Sequence, residues 1–223
     1  MRHGRRGLLA VLAVAASAGG GARAQTAAGR RSEPDLWFDP TQLPSFTGTV
    51  ERYLPNPRGE VDGLIFKEGP QVVFPPDVAD AVRRDAPTGK SVIIWGIRAR
   101  RAPVITMLAF APSSDATPVV VDRFYWRLGG RVPQEGSAAL RLSGTVKQPY
   151  YTPQGEVAGA ILEDGGVVLV PAAAIEASQE LLRPGQALAA AGPGREGPDG
   201  RALLAEQLGS ALDALRPLAG PSR

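Results

Sequence analysis

Residues 46–76 of this chain return at 142–172 under a constant shift of 96 positions, without a gap. Gly48, Thr49, Val50, Pro57, Gly59, Glu60, Val61, Gly63, Ile65, Gly69, Val72 and Pro75 align with Gly144, Thr145, Val146, Pro153, Gly155, Glu156, Val157, Gly159, Ile161, Gly165, Val168 and Pro171. A repeat of this length is a duplicated domain. Its identities are mostly glycines, prolines and β-branched residues, which prescribe a backbone path, whereas a duplicated catalytic site would also repeat its acids, bases or nucleophiles. The chain therefore has to fold the same way twice, and the shared residues carry architecture rather than chemistry.

The first 24 residues stand apart from this pattern. Arg2, Arg5 and Arg6 precede a short apolar run at 8–18, and Ala22, Arg23, Ala24 offer a small-x-small cleavage pattern before Gln25. Together these read as an export signal, with a run too short to span a bilayer. The paired arginines allow either the twin-arginine or the general secretory route. With no cysteine in the chain, lipid attachment at a cleavage-site cysteine and disulfides are excluded, and the expected product is a periplasmic or secreted protein without a transmembrane anchor. Cleavage near Ala24 removes four arginines and no acid, taking the formal charge from +3 to −1. The mature chain has no global basic field that would draw it to nucleic acid or anionic lipid. His3, the sole histidine, leaves too, which removes imidazole acid–base chemistry, His- or Cys-based zinc sites and His-activated nucleophiles.

The remaining residues suffice for two small domains with their own cores. Residues 25–45, rich in Pro, Ser, Thr and charge, are expected to be a flexible leader, with Trp37 and Phe38 able to dock. In the first unit, β-branched and aromatic runs predict strands at 46–54, 61–67, 71–74, 91–97 and 104–110, punctuated by turn residues such as Asn56 to Gly59 and Glu68–Gly69. A helix is expected over about 76–84. Pro75 and Pro76 close the third strand, Val78, Ala81 and Val82 are spaced three and four apart, and Pro87 with Gly89 stops the helix. The second unit predicts strands at 142–150, 157–163, 167–170, 186–191 and 203–207, with a helix over 172–182. The glycine-rich stretch 192–200 reads as a long hairpin between the last two strands.

Three strands, a helix and two strands is the order of the OB fold, a small barrel with its helix between strands three and four. The Gly-Thr-Val, Pro-x-Gly-Glu-Val-x-Gly and Pro-terminated strand shared by both units resemble a family of bacterial exported OB-like domains. The resemblance implies two tandem five-stranded OB-like barrels, mainly β, at 46–110 and 140–208. It brings no catalytic, ligand or cofactor residue with it. Between the units, 111–139 contains the β-rich stretch 117–128 with Phe124, Tyr125 and Trp126 in a row, which is expected to form an extra strand sealing the barrels. Residues 129–137 read as its flexible part. Within 209–223 the leucine spacing allows a short helix from about Ser210.

No constellation points to an enzyme. Glu60 and Glu156, the repeated ionisable pair of the motif, sit in hairpin turns where a solvated glutamate is ordinary, and no phosphate loop or metal-ligand set is present. Chemistry is better sought where the copies differ. Strand four of the first unit carries Ile93, Trp95 and Ile97 alternating with Val92 and Ile94, so one bulky apolar row must face outward and needs a cover. Arg98, Arg100 and Arg101 follow in the loop between strands four and five, where the second unit has Gly194, Glu196 and Gly197. Together with Tyr53, Arg58, Lys67, Phe74 and Trp95 they form the candidate ligand surface, suited to a polyanion, oligosaccharide or nucleic acid held by charge and stacking. The expected function is a non-enzymatic binding or scaffolding protein of the cell envelope, without cofactor, whose partner is an envelope protein or ligand. A hydrolase site between the barrels is the enzymatic alternative.

Overall fold

The computed structural model describes residues 38–125 and 132–218. The expected export signal, most of the leader with Trp37, and Trp126 with the start of the 129–137 stretch lie outside the described residues.

Strands β1 (Ser45–Pro55), β2 (Val61–Phe66), β3 (Gln71–Val73), β4 (Ser91–Arg98) and β5 (Val104–Ala111) close a five-stranded barrel. β1 pairs antiparallel with both β2 and β4, β2 with β3, β4 with β5, and the parallel pairing of β3 with β5 seals the ring. Between β3 and β4 a 3-10 turn, Pro76–Val78, runs into helix α1 (Ala79–Asp85), as the sequence predicts. Val50, Leu64, Phe66, Val72, Phe74, Ile94 and Phe110 fill the core, with Ala79 and Val82 contributed from α1. After β5 the chain adds β6 (Val119–Val120) to the outside of β5.

The second unit repeats this ring with β7 (Ala138–Tyr151), β8 (Val157–Leu162), β9 (Val167–Leu169), β10 (Ala187–Gly197) and β11 (Gly200–Leu204), again closed by a parallel pairing, β9 with β11. β12 (Gln207–Gly209) and β13 (Arg216–Pro217) extend it beyond β10. The protein is thus two tandem OB-like barrels, with a short helical segment between the third and fourth strands of each.

Four local expectations are corrected. The second helix is only a 3-10 turn, Ala172–Ala174, followed by α2 (Ile175–Ser178), where residues 172–182 were expected. The Ser178 hydroxyl donates back to the Ala174 carbonyl at 2.7 Å, and Pro184 bars the helix from continuing. The 192–200 stretch is no long loop. β10 runs through it, and only Pro198 and Asp199 turn the chain before β11. Its first two glycines face backbone: a Cβ would stand 2.0 Å from the Leu204 carbonyl oxygen at Gly192 and 2.1 Å from that of Ala202 at Gly194. The C-terminal stretch from Ser210 forms turns and β13 instead of a helix. Finally, the inter-unit strand spans just two residues, after which Val121 enters the first core.

A separate apolar cluster joins the barrels. Leu54, Ile65, Val73 and Val104 from the first pack with Tyr150, Ala158, Ile161, Leu169 and Ala202 from the second, and Tyr125 of the linker enters between them. Leu54 and Tyr150, Ile65 and Ile161, and Val73 and Leu169 are each 96 positions apart, so the same face of each copy meets the other. This is the geometry of an isologous, approximately twofold interface formed within one chain. Gly59 lies against Arg195 and Gly155 against Ala99, again a reciprocal pair. Near the axis Glu51 meets Lys147, its own counterpart, in an ion pair. Gln71 adds a two-bond clamp, its amide accepting from Tyr151 N–H at 2.9 Å and donating to Tyr151 O at 3.1 Å.

Candidate functional site

The ligand face of an OB barrel is ordinarily centred on its second and third strands and the adjoining loops. Here β2 and β3 are buried along their whole length, and so is β9, because each barrel spends that face on the other. The open surface of the first barrel is what remains: the loop after β4, the outer row of β4, and a cavity under the linker.

The loop carries the arginines. Ala102 is buried in the seam and Ala99 packs against it, fixing the loop at its base, while Arg98, Arg100 and Arg101 project outward around an open depression of about 470 Å³. The Ala99 N–H donates to the Val104 carbonyl at 2.9 Å and closes the hairpin. None of the three guanidinium groups has a carboxylate partner among the described residues. Lys67, exposed in the β2–β3 turn, lies at the same end of the barrel, because the Gln71 N–H beside that turn donates to Pro103 O of the loop at 2.8 Å.

The other sequence candidates are placed elsewhere. Phe74 is fully buried in the first core, where no ligand can reach it, so its inclusion in the surface is corrected. Tyr53 is half-buried against the same core. Its hydroxyl donates to Ala86 O at 3.0 Å at the end of α1, and the Arg83 guanidinium carbon stands 6.0 Å from its ring centroid. Burial pushes its hydroxyl pKa up. Trp95 is half-buried on the outer row of β4 between Ile93 and Ile97, the last 38% exposed. The end of the leader runs alongside this strand: a 3-10 turn, Pro40–Gln42, capped by Asp39, neighbours β4 and β5, and the Gly96 N–H donates to Pro44 O at 3.2 Å. This end of the leader is ordered structure instead of free chain. Arg58 lies away from the arginine loop, in the β1–β2 turn, with its Nε donating to Val132 O at 3.0 Å.

Arg58 borders a cavity of about 680 Å³ walled by the β1–β2 turn, the segment from Pro75 through Arg83 and the linker at Arg123, Phe124 and Tyr125. Behind this wall lies Asp62, which the sequence reading missed. It is 1% exposed, and its Oδ2 accepts from the Tyr125 hydroxyl at 2.7 Å and from Asn56 Nδ2 at 3.2 Å, while Oδ1 has no partner among the described residues. Burial raises its pKa to about 6, against the lowering pull of those hydrogen bonds. A signal for Asp62 did exist: its counterpart is Ala158, as that of the buried Gln71 is Val167, and a polar residue in place of an apolar one marks a position the barrel does not require. Among the described residues no cluster of three or more acidic, His or Cys side chains is arranged to hold a metal ion. No helix among them is long and apolar enough to cross a membrane.

No protein-family model matches the chain, and no curated protein matches it in sequence.

Proposed function

We propose that this protein is an exported, non-enzymatic binding module of the cell envelope that recognises an anionic polymer through Arg98, Arg100 and Arg101. One observation carries the reading: three exposed arginines without carboxylate partners stand on a loop anchored in the inter-barrel seam, so the charge is both available and held in place. An arginine already paired would have to give up its carboxylate before binding another anion. Because the surrounding chain is nearly neutral once residues 1–24 are removed, attraction would be local to this loop. Lys67 at the same barrel end adds a fourth positive charge.

The test is binding of the purified protein to heparin and to inorganic polyphosphate across a salt series. Affinity should fall steeply as salt rises, as counterion release requires. The triple variant R98A/R100A/R101A should lose at least about tenfold in affinity, equivalent to roughly 1.4 kcal/mol. Binding that ignores salt, or that survives the triple variant intact, overturns the proposal.

A further inference from the structure

The cavity under the linker has features that neither the barrel fold nor the arginine loop explains. Its volume, about 680 Å³, lies within the range of small-molecule sites. Half of its charges have no counterpart in the second unit: Arg58, Asp77 and Arg83 correspond to Gln154, Ala173 and Gln179, as Asp62 behind the wall does to Ala158, whereas Glu60 and Asp80 are matched by Glu156 and Glu176. The second barrel closes without Arg58, Asp62, Asp77 or Arg83 equivalents, so the fold does not demand those four.

Its lining balances the two signs. Arg83 pairs with Asp80 at 2.8 Å, and Arg123 pairs with Asp77. Glu60 and Arg58 add one further charge of each sign. A ligand with a net charge would have to compete with these pairs. A ligand with many hydroxyls would not, because paired guanidinium and carboxylate groups keep spare N–H donors and lone pairs that neutral donor–acceptor groups can use. Phe124 supplies an apolar flank, backed by Phe38 with ring centroids 6.0 Å apart. The neighbouring Tyr125 is fixed by its hydrogen bond to Asp62. A buried carboxylate with an orphaned oxygen costs stability, and here it secures the linker wall of the cavity.

We infer that this cavity is a binding site, distinct from the arginine loop, for an uncharged saccharide of one or two rings, with Arg58 and Glu60 meeting its hydroxyls and Phe124 its ring face.

The experiment is titration of the full purified chain with glucose, N-acetylglucosamine, maltose and diacetylchitobiose, with glycylglycine as a zwitterionic comparison, read by calorimetry and by NMR of the aromatic resonances. At least one sugar should bind with little dependence on salt and shift the Phe124 and Tyr125 signals. Arg58→Met and Phe124→Ala should each weaken it at least about tenfold, while heparin binding stays as in the unmodified protein. Circular dichroism of both variants would confirm that they remain folded. Failure of all four sugars to bind, binding untouched by both substitutions, or preference for the dipeptide overturns the inference. None of those outcomes bears on the arginine loop, whose own test is the salt series.

Discussion

The surroundings of Asp62 favour the neutral form of its carboxyl far more than water does. Burial pushes its pKa from 3.8 to about 6, and the Glu60 charge adds to this, while hydrogen bonds from Tyr125 and Asn56 and the nearby Tyr150 hydroxyl work against it. The folded state therefore binds this proton more tightly than the unfolded chain. Its contribution favours folding fully below about pH 4 and is lost as pH rises through about 6, amounting to about 3 kcal/mol for a shift of this size. Asp62→Asn keeps an acceptor for the Tyr125 hydroxyl and removes the ionisation. Thermal unfolding of the two proteins should show the variant gaining relative to the parent between pH 4 and pH 8; parallel pH profiles would show that Asp62 does not ionise at the cost described. At this scale the sequence was least legible. An aspartate inside a strand reads as solvent-facing, and only the linker tyrosine, 63 residues away, makes it a buried acceptor.

Among the elements, strands were the most legible and their ends the least. The five strands of the first barrel lie within a residue or so of their expected bounds, because β-branched runs and Pro-Gly turns act locally. The β10–β11 hairpin was misread because glycine has two meanings, freedom in a loop and close approach in a strand. Substitution separates them. Gly192→Ala places a Cβ 2.0 Å from the Leu204 carbonyl oxygen, and backbone must shift to admit it, whereas Gly89, at φ +83°, has nothing within 4 Å of an added Cβ. Urea denaturation should show Gly192→Ala destabilising by about 3 kcal/mol or more and Gly89→Ala by about 1 kcal/mol, the cost of left-handed backbone alone. Equal losses would mean that β10 does not pass so close to its neighbour.

Across the whole molecule, the repeat has become its own partner. Burial pushes the Glu51 carboxyl up, but Lys147 and Arg52 outweigh it and hold it below the usual carboxylate range, so this pair favours the fold at neutral pH and is lost as pH falls through that lowered value. Two identical barrels would set like charges against each other at this point; the divergence of Glu51 and Lys147 removes that repulsion. Glu51→Lys should destabilise the chain by about 1–3 kcal/mol, and the charge-swapped double variant Glu51→Lys with Lys147→Glu should recover much of the loss in a double-mutant cycle. Additive losses would place the two groups out of contact. The symmetry is not complete. Arg52 reaches across to the Glu163 carbonyl at 3.2 Å, while its counterpart Gln148 leaves a buried Nε2 without a partner among the described residues.

By itself the sequence determined that one small barrel is built twice, where its strands run, and that a basic loop belongs to the first copy alone, since these follow from local pattern and from comparing the chain with itself. Only the tertiary structure decided which face of each barrel is closed. In β2 and β3 both faces are apolar or shielded, so the two-residue alternation that separates inside from outside disappears. What covers the second face is a segment about a hundred residues away, and no local pattern encodes that distance. The same long-range packing places Asp62 behind Tyr125, sets the arginine loop on the seam, and leaves the cavity open beneath the linker.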